Sequence, residues 1–306
     1  MIIRSETVAD YAAIARVNAR AFDTSPLVYT IVDLHRHRPR FDPELSLVAE
    51  VDGCVVGHVL FSPQTIRLLG ENVDVVNLSP LAVAPEYQRQ GVGGALVEEG
   101  HRVAKAKGYP LSFLIGHPPY YPRFGYLTRA FGSASVKVST VDFAAGALET
   151  ALETRSPSEA DIPALRALWL HEEGNVDFSI DPGSELLDWI SPNPEIKPLV
   201  YTRAGEIVGY TRISAHKLHY FLAREGETAR QMVCHLGQQI GTEVELPLHP
   251  SSASASALGT PETSLWDAAM VCTFAPSPLE EYYARVQAGT RLAGRPIWGV
   301  EFDLAE

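Results

Sequence analysis

The chain of 306 residues repeats part of its own pattern after about 151 residues, and this duplication constrains the fold more than any other feature. Arg4 and Asp10, with matching small and apolar neighbours, recur as Arg155 and Asp161. In both copies apolar residues then return at three- and four-residue spacing, which is typical of an amphipathic helix that follows a strand. The sequence therefore predicts two domains built alike rather than one large domain.

A second match follows in register with the first. Asp52-Gly53 lies between two β-rich runs, and Ala204-Gly205 takes the equivalent place in the second half. An Asp-Gly dipeptide between such runs is a strong signal for a tight β-hairpin. Each half is therefore predicted to begin with a strand, a helix and a hairpin.

Further elements are predicted from periodicity and from glycines at helix ends. Predicted strands cover residues 73–83, 110–116, 218–223, 243–248 and 297–304, and predicted helices cover residues 91–107, 228–239 and 279–287. The Ser/Ala tract at residues 251–257 is predicted to be a mobile loop without a function. Hydrophobic residues make up 46% of the chain, which is enough for a buried core and argues against global disorder.

Charge and cysteine content exclude several classes of function. The net charge of −12 arises mainly in residues 151–306, which hold 11 Lys and Arg against 22 Asp and Glu, so we expect no nucleic-acid partner. The three cysteines are widely separated, and His35 and His37 on an Arg-rich segment are a weak ligand pattern, so we expect no metal. Charged residues interrupt the N-terminal segment, and no run reaches membrane-spanning length. We therefore expect a soluble, cytoplasmic protein without a membrane partner.

Residues 77–96 carry the clearest chemical signal. A buried strand leads into a turn that contains Gln88-x-x-Gly91-x-Gly93, and a helix begins directly after it. Glycines let the backbone approach a ligand closely, and the N–H groups and dipole of the helix start favour an anion such as a pyrophosphate. A nucleotide-triphosphate loop would need a Gly-Lys-Ser/Thr ending, and a dinucleotide fold a third glycine on its own spacing, and this turn has neither.

The turn closely resembles the pyrophosphate-binding signature of the GNAT superfamily of acyl-CoA-dependent N-acyltransferases, Gln/Arg-x-x-Gly-x-Gly/Ala. The resemblance implies an α/β fold of two GNAT-like domains, at residues 1–145 and 150–306, each with a mixed, mostly antiparallel sheet flanked by helices. It implies acetyl-CoA as cosubstrate and a small-molecule or peptide amine as acceptor. The implied cofactor-binding residues are Leu81, Ala82, Val83, Gln88, Arg89, Gln90, Gly91, Val92, Gly93, Gly94 and Ala95.

Within that set the resemblance also implies individual roles. Backbone amides of residues 89–94 would hold the cofactor pyrophosphate, and the backbones of Leu81 and Val83 would bond the pantetheine arm as if it were an added strand. The side chains of Arg89 and Lys105 are candidates for contacts with the outer phosphates.

Residues 116–126 hold the candidate general acid. They resemble a segment in which many members of the family carry a tyrosine four residues before a Gly-aromatic pair, which selects Tyr121, with Tyr120 as a competitor. The departing coenzyme thiolate needs a proton, and a phenol has a pKa near that of a thiol. Packing in an aromatic core is the alternative role for Tyr121.

The group that deprotonates the acceptor is less clear. Asn77 stands where some members of the family have a glutamate base, and an amide cannot take the proton of an ammonium group. His117, His58, or water held by Ser79 and Asn77 could replace it, although His58 is predicted to be a core residue.

The second half lacks the phosphate loop, because residues 223–230 place Glu225 and Glu227 where phosphates would lie. We therefore predict one active site per chain, with a degenerate second domain that braces or completes the acceptor cleft. The basic segment at residues 23–44 would favour an acceptor with an acidic group. A non-catalytic acyl-CoA-binding or regulatory module is the alternative function, and the sequence leaves the acceptor and the oligomeric state open.

Overall fold

The computed structural model describes residues 1–22, 28–146, 152–215 and 217–305. Within these ranges the helices are α1 (Tyr11–Ala21), α2 (Val28–Arg36), α3 (Val92–Ala106), α4 (Ile162–Glu173), α5 (Gly226–Gly237), α6 (Ala255–Leu258) and α7 (Pro278–Gln287). The strands are β1 (Ile2–Ser5), β2 (Ser46–Val51), β3 (Cys54–Leu68), β4 (Glu71–Val83), β5 (Leu111–Ile115), β6 (Gly132–Ser139), β7 (Glu153–Arg155), β8 (Lys197–Arg203), β9 (Glu206–Ile213), β10 (Leu218–Ala223), β11 (Glu243–Leu246), β12 (Glu262–Leu265) and β13 (Ala269–Thr273). No helix within the described ranges has both the length and the apolar character to cross a membrane.

The two halves of the chain exchange strands. The first sheet has the order β1-β2-β3-β4-β5-β13, so that β13 from the second half lies antiparallel beside β5. In return, β6 from the first half pairs with β11 and β12, while β10-β9-β8-β7 form a separate sheet. The fold is the predicted mixed α/β class. The predicted boundary between residues 145 and 150 lies mostly outside the described residues, so the division into two domains stays a prediction.

The duplicated sequence forms the same local structure twice. Arg4 donates hydrogen bonds of 2.7 and 2.8 Å to the two carboxylate oxygens of Asp10, and Arg155 donates bonds of 2.6 and 2.7 Å to those of Asp161. These bonds hold the pKa of both carboxyl groups below the usual range. Each pair ties the end of a strand to the start of the following helix, as the sequence pattern predicts.

Both predicted hairpins are present. The turns of the β2–β3 and β8–β9 hairpins have positive φ at both central residues, 51° and 77° at Asp52 and Gly53, and 51° and 82° at Ala204 and Gly205. Such turns match the twist of the flanking strands.

The packing of α7 shows how deeply the second half enters the first. Leu279, Tyr282 and Val286 of this helix are buried with Phe113 of β5, and the Tyr282 hydroxyl donates to the backbone carbonyl of Ala130 at 2.9 Å. A helix near the end of the chain therefore covers one face of the first sheet, while α3 packs on the opposite side in a separate core cluster.

The prediction of a strand at residues 297–304 is wrong. Val300–Ala305 is a 3-10 helix, in which Glu301 lies 3.4 Å from Arg38 and Asp303 lies 3.2 Å from Arg212. The acidic residues of this segment pair with arginines from other elements, which its sequence alone does not reveal.

The prediction of a mobile loop at residues 251–257 is also wrong. The Ser252 hydroxyl donates to Glu173 at 3.1 Å, and the Ser254 hydroxyl donates to Glu172 at 2.7 Å. All four side chains are buried. The serines satisfy buried carboxylates from α4, so composition alone misleads here.

Candidate functional site

The turn between β4 and α3 forms an open cradle of backbone amides. Arg89 and Gly91 have positive φ values of 60° and 87°, and the N-cap residue of α3 is Gly91, which has no side chain to cap the first N–H groups. The first N–H groups of an α-helix have no partner inside the helix, so those of Val92, Gly93 and Gly94 point out of its end. Together with the helix dipole they favour an anion at this position.

Two glutamines of the turn brace it from within. Gln88 Nε2 donates to the Val83 carbonyl at 3.0 Å, and Gln90 Nε2 donates to the Glu86 carbonyl at 2.7 Å. One side-chain N–H of each glutamine is therefore used within the turn.

Arg89 and Lys105 lie at opposite ends of α3. Arg89 is exposed beside the cradle. Lys105 is in the last turn, about 20 Å along the helix axis from the cradle, with its ammonium group over the Phe274 ring. A phosphate contact of Lys105 is therefore ruled out by distance, and that prediction is wrong.

β4 and β5 separate soon after they meet. They pair in parallel at only two positions, the second being Asn77 with Phe113. Beyond this point β4 pairs with β3 alone. The Ala84 N–H donates to the Val56 carbonyl of β3. Because successive residues of a strand direct their backbone N–H and C=O groups to opposite sides, those of Leu81 and Val83 face the gap between β4 and β5. The gap can accept an extended ligand as if it were a further strand.

A cavity of about 620 Å³ lies at the end of this gap, and we call it the large cavity. Asn77 and Ser79 of β4 and Ile115 of β5 line its inner end. Most of the remaining wall comes from the second half, including β10, β11 and residues 295–303. This size is typical of small-molecule sites.

Asn77 is the most deeply buried of the predicted catalytic residues. Its side chain is 1% exposed, and its Nδ2 has no hydrogen-bond partner among the described residues. Buried polar groups are normally hydrogen-bonded, so an unsatisfied donor beside a cavity indicates a place for a ligand or water.

The two neighbouring tyrosines lie in different places. The ring of Tyr121 is packed against Gly116, where an added Cβ would lie 2.4 Å from it, and burial raises the pKa of Tyr121 to about 12. The hydroxyl of Tyr120 instead lies beside Gly93, where an added Cβ would lie 2.6 Å from it. Tyr121 is therefore at the end of β5, next to Ile115 of the large cavity, and Tyr120 is at the cradle.

Arg123 is a neighbour of the cradle that sequence reasoning missed. Its guanidinium lies 4.0 Å from the ring centre of Tyr120 and 4.9 Å from that of Phe124, and it is exposed. The position of Arg123, two residues after the candidate general acid Tyr121, is the sequence feature that could have identified it. The wall residues from the second half were missed because nothing in their sequence marks them.

The two histidines that are candidate bases lie in different environments. His58 is fully buried, its ring nitrogens lie 3.0 Å from the Ser46 hydroxyl and 3.2 Å from Asn18, and burial lowers its pKa to about 3. It is a core residue, as predicted. His117 is exposed on the turn after β5 and is not part of the large-cavity wall.

The histidines of the Arg-rich segment have other partners than a metal. His35 is buried with Nδ1 3.9 Å from Glu301, and His37 lies 2.7 Å from the carbonyl of Asp33. In the parts of the chain that the structure describes, no group of three or more His, Cys, Asp or Glu side chains is arranged to hold a metal ion.

Comparison with known proteins points to one family. A family model described as an acetyltransferase (GNAT) domain matches residues 2–128. The uncharacterized N-acetyltransferase YhbS of Escherichia coli is 35% identical over 127 residues, which are 41% of this chain and 73% of YhbS. The uncharacterized N-acetyltransferase YjhQ of the same species is 38% identical over 120 residues, which are 38% of this chain and 64% of YjhQ, just under two thirds of its length.

A solved structure extends the likeness of fold to both halves. The crystal structure of a GCN5-related N-acetyltransferase from Anabaena variabilis aligns over 89% of this chain and 72% of its own, with a TM-score of 0.69 and 13% identity. That likeness shows a mixed α/β fold shared with a solved acetyltransferase. The chain belongs to the GNAT acetyltransferase family.

Proposed function

We propose that the protein transfers the acetyl group of acetyl-CoA to a primary amine by direct attack in a ternary complex. The observation that carries this proposal is that the amide cradle, the gap between β4 and β5, and the large cavity follow one another in that order. A coenzyme with its pyrophosphate at the cradle and its arm in the gap would present its thioester at the inner end of the cavity.

The cradle and gap residues would divide the coenzyme between them. The backbone amides of residues 89–94 would bind the pyrophosphate, and the backbones of Leu81 and Val83 would bond the pantetheine arm. The exposed guanidinium groups of Arg89 and Arg123 would lie near the phosphates. The acceptor would then enter through the large cavity, which the second half largely builds.

The transfer needs no enzyme nucleophile. The neutral amine nitrogen forms a bond to the thioester carbonyl carbon, the bond from carbon to sulfur breaks, and the thiolate takes a proton. Tyr121 would supply that proton, because it lies at the end of β5 next to Ile115 of the large cavity, where the thioester would be presented. Asn77 and Ser79 would hold the amine or a water that removes its proton. His117, on the exposed turn after β5 and outside the cavity wall, would be the alternative acceptor of that proton only through water.

The proposal is tested by release of free thiol from acetyl-CoA in the presence of a panel of amines. We expect thiol release with some amines, and a fall in kcat of about 100-fold in Tyr121→Phe with little change in the KM for acetyl-CoA. Tyr109→Phe is the matched control, since Tyr109 is a half-buried tyrosine near the other end of α3.

Absence of thiol release with every amine, in a protein that still binds the coenzyme, would favour the alternative of a non-catalytic acyl-CoA-binding module. The asparagine at position 77, in place of a carboxylate, is the observation behind that alternative.

A further inference from the structure

A second cavity of about 240 Å³, which we call the small cavity, lies next to the large one. The two cavities share Arg212, Ile297 and Trp298 as wall residues. They also meet across the β3–β4 pair, where Ser62 of the small cavity donates to the backbone carbonyl of Asn77 of the large cavity at 3.3 Å. One molecule could therefore occupy both.

Beside four carboxylates, the wall of the small cavity holds four arginines. Three of them have carboxylate partners: Arg38 with Asp188 at 2.8 Å, Arg166 with Asp181 at 2.9 Å and Arg212 with Asp303 at 3.2 Å. Arg40, which is half-buried, has no carboxylate within 4.0 Å among the described residues, and its Nη2 donates to the backbone carbonyl of Asp181 at 3.5 Å. The wall carboxylate without an arginine partner in these ranges is Glu185, which is exposed to solvent.

Several buried polar groups around the small cavity also lack partners. Trp189, Tyr220 and Arg212 are at most 4% exposed. The indole N–H of Trp189, the hydroxyl of Tyr220 and the Nε–H of Arg212 have no hydrogen-bond partner within the described residues. An indole and a guanidinium can only donate, so the groups that would satisfy them are acceptors. Buried donors without acceptors are costly, which favours a ligand rich in acceptor atoms.

We propose that the small cavity binds the carboxylate of a small organic acid, and that the amine of the same molecule is the acetyl acceptor in the large cavity. The acceptor class is then amino acids and related amino carboxylates rather than simple amines or polyamines. A carboxylate presents about four acceptor positions and pairs with a guanidinium through two parallel bonds. The volume corresponds to about eight water molecules, which suits the acid end of a small molecule.

The acceptor part of this inference rests on the proposed acetyl transfer, whereas the carboxylate site does not, so the first experiment measures binding without catalysis. Titration calorimetry would compare 4-aminobutanoate with 1-aminobutane, which lacks the carboxylate. We expect 4-aminobutanoate to bind wild-type protein at least about tenfold more tightly, and Arg40→Gln to weaken its binding about ten- to hundredfold. Arg285→Gln is the control, because Arg285 is exposed on α7 and paired with Glu281, and it should bind as wild type.

Arg40→Gln should fold normally, since it leaves no carboxylate unpaired, and circular dichroism would verify this. Arg40→Lys keeps the charge but not the planar fork, so its affinity should be intermediate. Equal affinity for the two ligands, or binding of 4-aminobutanoate that Arg40→Gln does not weaken, would overturn the carboxylate site.

The second experiment measures thiol release with pairs of amines that differ by one carboxylate, such as lysine and 1,5-diaminopentane. We expect the amino acid to be the better substrate, and Arg40→Gln to raise its KM about tenfold with kcat largely kept. Preference for 1,5-diaminopentane would overturn the acceptor class. Carboxylate binding that depends on Arg40, without thiol release from any amine, would uphold the site and refute acetyl transfer instead.

Discussion

Replacement of Gly91 by glutamate tests the cradle, and the chain provides a matched control at Gly108. The two glycines lie at opposite ends of α3, both with φ of 87°, and a Cβ added at either would have no heavy atom within 4 Å. A residue other than glycine in the left-handed region costs about 1–2 kcal/mol, so both variants should lose similar stability. A negative charge is unfavourable at the C-terminal end of a helix, so Gly108→Glu should be slightly less stable than Gly91→Glu. Any loss of binding that comes from lower stability alone should therefore be at least as large in Gly108→Glu.

Only the glutamate at position 91 would face the coenzyme pyrophosphate. At a separation of roughly 6 Å and an effective dielectric constant of about 20, two unit charges repel by about 3 kcal/mol. The dissociation constant for coenzyme A should therefore rise about 100-fold in Gly91→Glu. In Gly108→Glu it should change less than about twofold.

Titration calorimetry with coenzyme A, together with thermal unfolding of both variants, measures this difference. If the two variants lost affinity equally, the loss would come from destabilisation and not from the cradle. If Gly91→Glu bound coenzyme A as tightly as wild type, the assignment of the pyrophosphate to this helix end would be refuted.

Three further outcomes follow from the same structure. A fragment of residues 1–145 should not fold stably, because β5 would lose its partner β13 and the first sheet would lose the cover of α7. Its proton NMR spectrum should show little signal dispersion, and a well-dispersed spectrum would contradict this. Burial raises the pKa of Glu172 to about 7, so the free energy of unfolding should fall by about 3 kcal/mol as pH rises from 4.5 to 7. Urea unfolding at pH 5 and pH 8 would measure this difference, which should be smaller in Glu172→Gln. If the free energy of unfolding of Glu172→Gln changed with pH as much as that of wild type, Glu172 would not be the titrating group. Arg123→Gln should raise the KM for acetyl-CoA a few-fold with kcat kept, and a fall in kcat alone would contradict a phosphate role.

The sequence was sufficient where neighbouring residues decide the structure. The Asp52-Gly53 turn and the arginine–aspartate pairs depend on residues within one local segment, and spacing reveals them. The cradle is of the same kind, because glycine is needed at the left-handed position before α3.

The sequence was insufficient where the partner comes from far along the chain. Ser252 and Ser254 resemble loop residues until the buried carboxylates of α4 are placed beside them. The pairing of β13 with β5 joins residues more than 150 positions apart, and no local pattern specifies it. The wall of the large cavity was missed for the same reason, because its residues become neighbours only through that exchange of strands.

A crystal structure of the full chain with coenzyme A would show directly whether the amide cradle binds the coenzyme pyrophosphate. We expect pyrophosphate oxygens about 2.9 Å from the N–H groups at the start of α3, the pantetheine arm between β4 and β5, and the thiol at the Asn77 end of the large cavity. Coenzyme bound elsewhere, or a cradle that stays empty at saturating coenzyme, would contradict this expectation.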